Sequence, residues 1–590
     1  MDQKAKEKFK ALNSLLLASE SEQRSGKISP ALVLKIAKSY RIIAKQINTK
    51  TSFIMREYCL RVYNQLRYLS FSPTQISSNI LFDFFCIKES IVEMQTSLGI
   101  VKNDELINFL LTDEAEKNTV TKSLILFSLN NIPTKLLKLA MVNTSSQFQF
   151  SLVIGFMSEK IIYTNLGNQN YQYVTEVFER FKNYGIKNSL EYSILVKIYL
   201  FCSYRSSKKS EYIKATINKI IRRYILKLYP IQEREKSGVL NSTIEKLIIF
   251  HERYKENHSM ARSFGALCKV LDKNYNVTSI CIDRYSDRTF EADFKNSYTV
   301  PDTDIRESLD LIGQLKPDCI IYPSIGMSNV GVALSNLRLA PLQVMMHGHP
   351  SASYSDMIDV ALVKSYSKKH HDKLPEKVIG PSDLSFIATR IEANISVFKR
   401  PKRDKSAGNL IIGINCKSFK LSYDFLNFLD RLQSSHDNIK YHFFPNDKNI
   451  SYEYIRHILC QRYTDCIVHP TVPYEEFLDN LSTIDLALIP FPFGNSGSVV
   501  DCLKLSIPVL GLDSDRLSAV GEFMILNHNG LGKYLYPSIE ELEDTVAKFI
   551  SDTAFQSKVY DDFSNLKEPN TAPDPSDRLV DFWVKELTYV

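Results

Sequence analysis

Long apolar runs are missing from this chain. The longest, Ser151–Met157 and Leu486–Phe493, fall far below the roughly 18 residues a membrane-spanning helix needs. No secretory leader is recognisable, because Leu15–Ala18 is too short for the apolar core of one. The ten cysteines, at 59, 86, 202, 268, 281, 319, 416, 460, 466 and 502, contain no CxxC pair. That argues against a zinc site or a disulfide framework, and the expectation is buried, reduced thiols in a cytoplasmic protein. No fixed-period repeat emerges, which argues against a tetratricopeptide array.

What is present is ordinary globular material, 44% hydrophobic and 24% charged. At 590 residues, three domains are expected, since one holds roughly 100–200 residues. The net charge of +7 hides an asymmetry. Residues 1–240 carry 35 Lys+Arg against 20 Asp+Glu, and the remainder carries 38 against 46. The basic excess peaks at Lys4–Lys50 and at Arg205–Lys236. Solvated helix faces are the plain reading, and a docking surface for an acidic partner is the functional one. No nucleic-acid-binding motif accompanies the charge.

Residues 1–240 read as an all-α domain. Apolar residues recur at helical spacing, as in Leu32, Leu34, Ile36, Ala37, Tyr40 and Ile43. Near residue 243 the pattern changes to short apolar runs alternating with helix-like segments. Strands are predicted at Lys246–Phe250, Val277–Asp283, Asp318–Pro323, Pro341–His347 and Met357–Val363. Helices fit Ser259–Leu271, Asp304–Leu315 and Asn329–Leu339. The breaker-rich stretch 396–409 reads as a linker. A second alternating series follows, with strands at Leu410–Cys416, Lys440–Pro445, Cys466–Pro470, Asp485–Pro490 and Pro508–Leu512. The predicted domains are therefore 1–240, 241–400 and 401–590, the last two α/β with parallel sheets. In such sheets ligands bind beyond the carboxyl ends of the strands, so the loops there are where chemistry is expected.

The most informative segment is Phe491-Pro-Phe-Gly-Asn-Ser-Gly-Ser-Val-Val-Asp501. A strand feeds a small-residue loop that opens a helix, and a helix N-terminus suits a pyrophosphate. Asp501 is expected in the first helical turn, able to accept ribose hydroxyls; a capped helix is the plainer reading. Lys420 closes the loop after strand Leu410–Cys416 and is a candidate to neutralise a departing diphosphate, against a solvent-facing lysine. His258, in Asn257-His-Ser-Met-Ala-Arg262, lies where the first strand's loop meets a helix. That position suits a base or a polar contact to a transferred group, against a helix histidine capped by Asn257. Arg262 shares its face one turn on. His347 and His349 are spaced like metal ligands but have no third partner at recognisable spacing; His349-Pro350 fits a loop approaching a sugar or phosphate. Asp513-Ser-Asp515 mimics a metal-binding Asp-x-Asp, and a polar turn is preferred.

Together these segments resemble the bacterial cytoplasmic adhesin N-glucosyltransferases, relatives of the O-linked N-acetylglucosamine transferase. The resemblance covers roughly residues 245–530 and is carried by Asn336–Pro350, His469–Phe477 and Asp485–Asp501. It implies a GT-B fold, two Rossmann-like domains facing a cleft, preceded by an all-α domain. It implies transfer of a hexose, glucose being the expected one, from a UDP-sugar to protein asparagine, with inversion and with neither metal nor other cofactor. The matching positions are His258 at the transfer site and Lys420 at the nucleotide. Asn495, Ser496, Gly497 and Ser498 match the phosphate loop, Asp501 the ribose carboxylate, and His349 and His469 histidines near the donor. The loop departs from the family's Gly-Asn-Thr-Asn-Gly by placing Gly497 where an asparagine stands, Lys417 replaces a threonine, and a glutamine falls near Asn446–Asp447. Two alternatives stay open: transfer to a Ser/Thr or glycan hydroxyl, and an inactive nucleotide-sugar-binding scaffold.

Overall fold

A computed structural model describes residues 3–44, 52–100, 104–112, 117–142, 144–236, 244–256, 258–382, 409–566 and 576–587. The expected linker at 396–409 lies almost wholly outside these residues. Up to residue 236 the described chain is helical, and thereafter strands and helices alternate. The strands are β1 (Leu247–His251), β2 (Val277–Ile282), β3 (Ser297–Val300), β4 (Cys319–Tyr322), β5 (Leu342–Met346), β6 (Val360–Leu362) and β7 (Lys377–Ile379). They continue as β8 (Leu410–Ile414), β9 (Ile439–Phe443), β10 (Ile467–Val468), β11 (Leu486–Leu488), β12 (Val509–Leu512) and β13 (Leu535–Tyr536).

The chain divides into two compact units, each made of two segments. One joins Met1–Phe181 to Gly408–Asn480, the other Lys182–Ala407 to Leu481–Val590.

In the first unit, β10-β9-β8 run side by side and parallel. Helix Asn449–Arg462 packs on helix Lys88–Ser97 of the N-terminal region. Ser451 donates to Glu93 Oε1 at 2.7 Å, Arg462 donates to the Tyr163 carbonyl at 2.7 Å, and Lys160 pairs with Asp447. Some of the basic residues are interior. Lys88 is fully buried, donates to the carbonyls of Leu124 at 2.8 Å and of Phe127, and lies 4.3 Å from the Phe156 ring centre. Burial pulls its ammonium down to about 7.

In the second unit a seven-stranded sheet has the order β3-β2-β1-β4-β5-β6-β7, every pairing parallel. β1 reads Leu-Ile-Ile-Phe-His and is buried throughout, as a central parallel strand covered on both faces must be. Helix Ile305–Leu315 starts at Asp304, whose side chain accepts from Arg306 N, and ends on left-handed Lys316. Helices Ser189–Phe201 and Ile213–Leu228 belong to this unit. So do β11-β12-β13, also parallel. The last helix, Ser576–Leu587, returns to the first sheet. Its Leu579, Val580, Trp583 and Leu587 join Leu247, Ile249 and Cys268 in one apolar cluster, and Trp583 Nε1 donates to the Val363 carbonyl at 3.1 Å.

Several expectations need correction. Helix Asn329–Leu339 ends at Leu334. β3, β7, β13 and the final helix carried no strong pattern. Eight cysteines are buried, but Cys460 is exposed and Cys466 half-buried. The basic peak at 205–236 is not simply a solvated face. Lys214 and Arg205 are buried, and Arg222 is held by Glu233 and, at 2.7 Å, the Asn336 carbonyl. No described helix is long and apolar enough to cross a membrane.

Candidate functional site

The second unit gathers several strand-end loops. After β11 the chain turns through Phe491–Phe493 and enters helix Ser496–Lys504 at Asn495. Gly494 is required there: a Cβ would stand 1.5 Å from Glu522 Oε1. Glu522 is buried, and its Oε2 accepts the Asn495 N–H at 3.1 Å. The loop is held further by Gly494 N to the Ser518 carbonyl at 3.2 Å and by Ser518 Oγ to the Pro492 carbonyl at 3.0 Å. Asn495 itself is buried and its side chain does not cap the helix. Ser496 and Gly497 are exposed, and Ser498 is half-buried. Nothing lies within 4 Å of a Cβ built at Gly497. The first N–H groups of a helix lack carbonyl partners within it, so this rigidly backed, open turn can receive an anion.

Asp501 lies in the second turn of that helix rather than the first, because the helix begins at Ser496. It is 6% exposed. Its Oδ1 is 3.4 Å from Arg262 Nη2, and its charge also bears on Lys504, whose ammonium burial pulls down and Asp501 pushes back up.

Arg262 stands in the first turn of helix Ser259–Asn274, which follows β1. His258 is the cap of this helix: its Nδ1 accepts the Met260 N–H at 3.2 Å. A neutral imidazole that accepts at Nδ1 carries its proton on Nε2. The tautomer assigned from this bond therefore presents a donor, not a base. The alternative cap, Asn257, lies outside the described residues.

His349 follows β5. It is buried, stacks on Phe493 with ring centres 5.7 Å apart, and places Nε2 3.2 Å from Ser203 Oγ. Tyr204 lies 4.2 Å from Phe493. Ser203 donates to Ser351 Oγ at 3.1 Å, and Lys214 donates to the same oxygen at 2.5 Å. Gly348 packs against the start of the His258 helix, where a Cβ would meet Met260 Cε at 2.3 Å. His258, Arg262, His349, Asn495–Ser498 and Asp501 thus belong to one unit and are linked by direct contacts through Met260, Phe493 and Asp501.

Lys420 and His469 belong to the other unit. Lys420 ends a single turn, Ser418–Lys420, after β8 and is half-buried. His469 follows β10, stacks flat on Phe444 at 4.3 Å, and places Nε2 3.2 Å from His442 Nδ1. Burial lowers its pKa. Asp447, near the expected glutamine position, is committed to Lys160.

Other motifs prove structural. The turn around Gly326 does not present free amides, because buried Glu252 accepts Gly326 N at 3.1 Å, Met327 N at 3.0 Å and Ser328 N at 3.0 Å. Asp513 pairs with Lys369 at 2.7 Å and Asp515 with Lys373 at 2.9 Å. His347 is half-buried, but both its ring nitrogens are buried without a hydrogen bond, and that burial drives its pKa to about 3. Among the described residues no group of three His, Cys, Asp or Glu is placed to hold a metal ion.

Glu252, Glu522, Ser203, Tyr204 and Lys214 escaped the sequence reading. A signal existed for Lys214, which lies in register with Ile217 and Ile221 on the apolar stripe of its helix. Glu522 likewise interrupts a largely apolar helix, Val520–His528.

Comparison with known proteins fits this arrangement. Residues 139–225 match the family model described as HMW1 domain 2. A UDP-glucose:protein N-β-glucosyltransferase of Actinobacillus pleuropneumoniae serotype 5b is 23% identical over 478 residues, 76% of each chain. This chain resembles the UDP-glucose:protein N-β-glucosyltransferases. The serotype 7 transferase aligns at the same identity and coverage. Among solved structures, a mutant O-GlcNAc transferase of Thermobaculum terrenum superposes with a TM-score of 0.57 at 12% identity, covering 100% of this chain and 98% of that one. That likeness is one of fold, and the fold is GT-B after a helical region. The segment matched to HMW1 domain 2 includes Ser203 and Tyr204, which contact His349, and Lys214, which holds Ser351.

Proposed function

We propose that the protein is a glycosyltransferase that moves a hexose, glucose by preference, from a UDP-sugar to an asparagine of a protein acceptor. The observation that carries this reading is the resemblance to UDP-glucose:protein N-β-glucosyltransferases over 76% of both chains. The uncapped, solvent-open start of helix Ser496–Lys504 supports it.

In this reading the diphosphate is received by the amides of Ser496–Ser498, and Asp501 holds the ribose. Lys420 has the charge to balance the leaving group, the largest contribution expected where negative charge grows. Displacement at the anomeric carbon is in line, with inversion and without a metal. An asparagine nitrogen is a poor nucleophile. The Nε2–H of His258 therefore fits a donor that orients sugar or acceptor better than a proton acceptor. A bacterial adhesin as acceptor and a cytoplasmic location complete the proposal, with no part for nucleic acid.

Incubation with radiolabelled UDP-glucose and an adhesin-derived peptide should release UDP and label the peptide. Mass spectrometry should place the hexose on asparagine. Label on serine or threonine would replace the acceptor assignment. Absence of both UDP release and UDP binding would end the transferase reading.

A further inference from the structure

Cys460 and Cys466 stand apart from the other thiols. Their sulfurs are 3.7 Å apart, and they are the two cysteines that are not buried. Cys460 lies in the last turn of helix Asn449–Arg462. Cys466 directly precedes β10, and left-handed Asp465 (φ 59°) bends the chain between them. β10 is two residues long, stands at the end of its strand order and begins at half-exposed Ile467. Such a segment can move the fraction of a chain step needed to close 3.7 Å to the ~2.05 Å of a disulfide.

We propose that Cys460 and Cys466 are a reversible thiol–disulfide site whose oxidant is a low-molecular-weight disulfide of the glutathione type. Exposed Cys460 attacks one sulfur of the oxidised glutathione. This forms a mixed disulfide and releases one glutathione, which takes up the thiol proton. Cys466 then loses its proton and attacks the Cys460 sulfur, and the second glutathione leaves as a thiolate that takes up that proton. Two protein thiols are oxidised and one glutathione disulfide is reduced. The order follows from the surroundings. Burial and the adjacent Cys460 sulfur hold the Cys466 thiol well above its ordinary pKa, so it is the poorer first nucleophile. Once Cys460 is capped, its part of that push is gone.

The test treats the full chain with oxidised glutathione, blocks remaining thiols and digests with trypsin without reductant. Arg462 separates the two cysteines, so the crosslink appears as two joined peptides, lighter by two hydrogens and released by dithiothreitol. Cys466→Ser should instead accumulate a stable glutathione adduct on Cys460. Cys502 shares the Cys466 peptide, so Cys502→Ser should keep the crosslink. A persistent adduct in the unsubstituted chain, loss of the crosslink in Cys502→Ser, or no modification of Cys460 would each overturn the proposal.

Discussion

Arg262 and Asp501 are 239 residues apart in sequence, yet their side chains meet at 3.4 Å. Asp501 is nearly buried, with its side chain 9% exposed against 29% for Arg262. The pair fastens the helix after β1 to the helix after β11. A carboxylate fixed in this way is preorganised as an acceptor, and the distance leaves the ion pair loose. Asp501→Ala should raise the UDP-sugar KM by about 10–100-fold, the worth of hydrogen bonds to a charged group. The loss in kcat should be smaller, because a ribose contact is made equally in ground and transition states. Steady-state kinetics checks this; a fall in kcat with KM unchanged would remove the ribose role.

The two glycines of this turn, Gly494 and Gly497, should respond in opposite ways. Gly494→Ala drives a methyl group into Glu522 and should cost about 1–3 kcal/mol of stability, as overpacking does. Gly497→Ala meets nothing and should leave the melting temperature equal or slightly higher, since alanine exceeds glycine in helix preference by up to about 1 kcal/mol. If the diphosphate rests on this turn, Gly497→Ala should still weaken UDP binding, measured by calorimetry. Unchanged UDP affinity in Gly497→Ala would move the diphosphate elsewhere.

The cap bond at His258 makes a quantitative distinction. His258→Asn keeps a side-chain acceptor for Met260 N and a donor, so thermal stability should hold and kcat should drop less than about tenfold. A general base would cost about 10²–10⁴-fold on removal. A loss of that larger size, with the melting temperature unchanged, would reinstate the base.

His251 supplies a pH prediction independent of activity. It is buried among Tyr254, Phe290 and Phe294, and burial lowers its pKa from 6.5 to about 3. Between those values the unfolded chain binds a proton that the folded chain does not, so stability falls as pH drops below about 6.5. His251→Leu should shrink the stability difference between pH 7.5 and pH 5 by about 2 kcal/mol. Urea titrations at the two pH values measure it; an equal difference in both proteins would show that His251 is not held neutral.

Much of this architecture was legible before the structure because parallel strands buried on both faces read as continuous apolar runs. β1, β2, β4 and β5 fall where such runs occur. β3 was hidden because it is an edge strand with Tyr298 exposed and offers no apolar run. The final helix was hidden because the surface it covers lies some three hundred residues earlier. At the site, residue types and strand-end positions pointed to His258, Arg262, His349 and Asn495–Asp501, which the second unit links. What could not be read was commitment. Whether Asp513 is spoken for by Lys369 and whether the Gly326 amides are filled by Glu252 both depend on partners distant in sequence.

The seating of Trp583 against strands that begin at Leu247 bears on how the molecule is made. During synthesis the first strand of that sheet emerges more than three hundred residues, and its last strand about two hundred residues, before the helix that covers it. A nascent chain therefore carries an unsealed apolar surface on this sheet until residues 576–587 have been made.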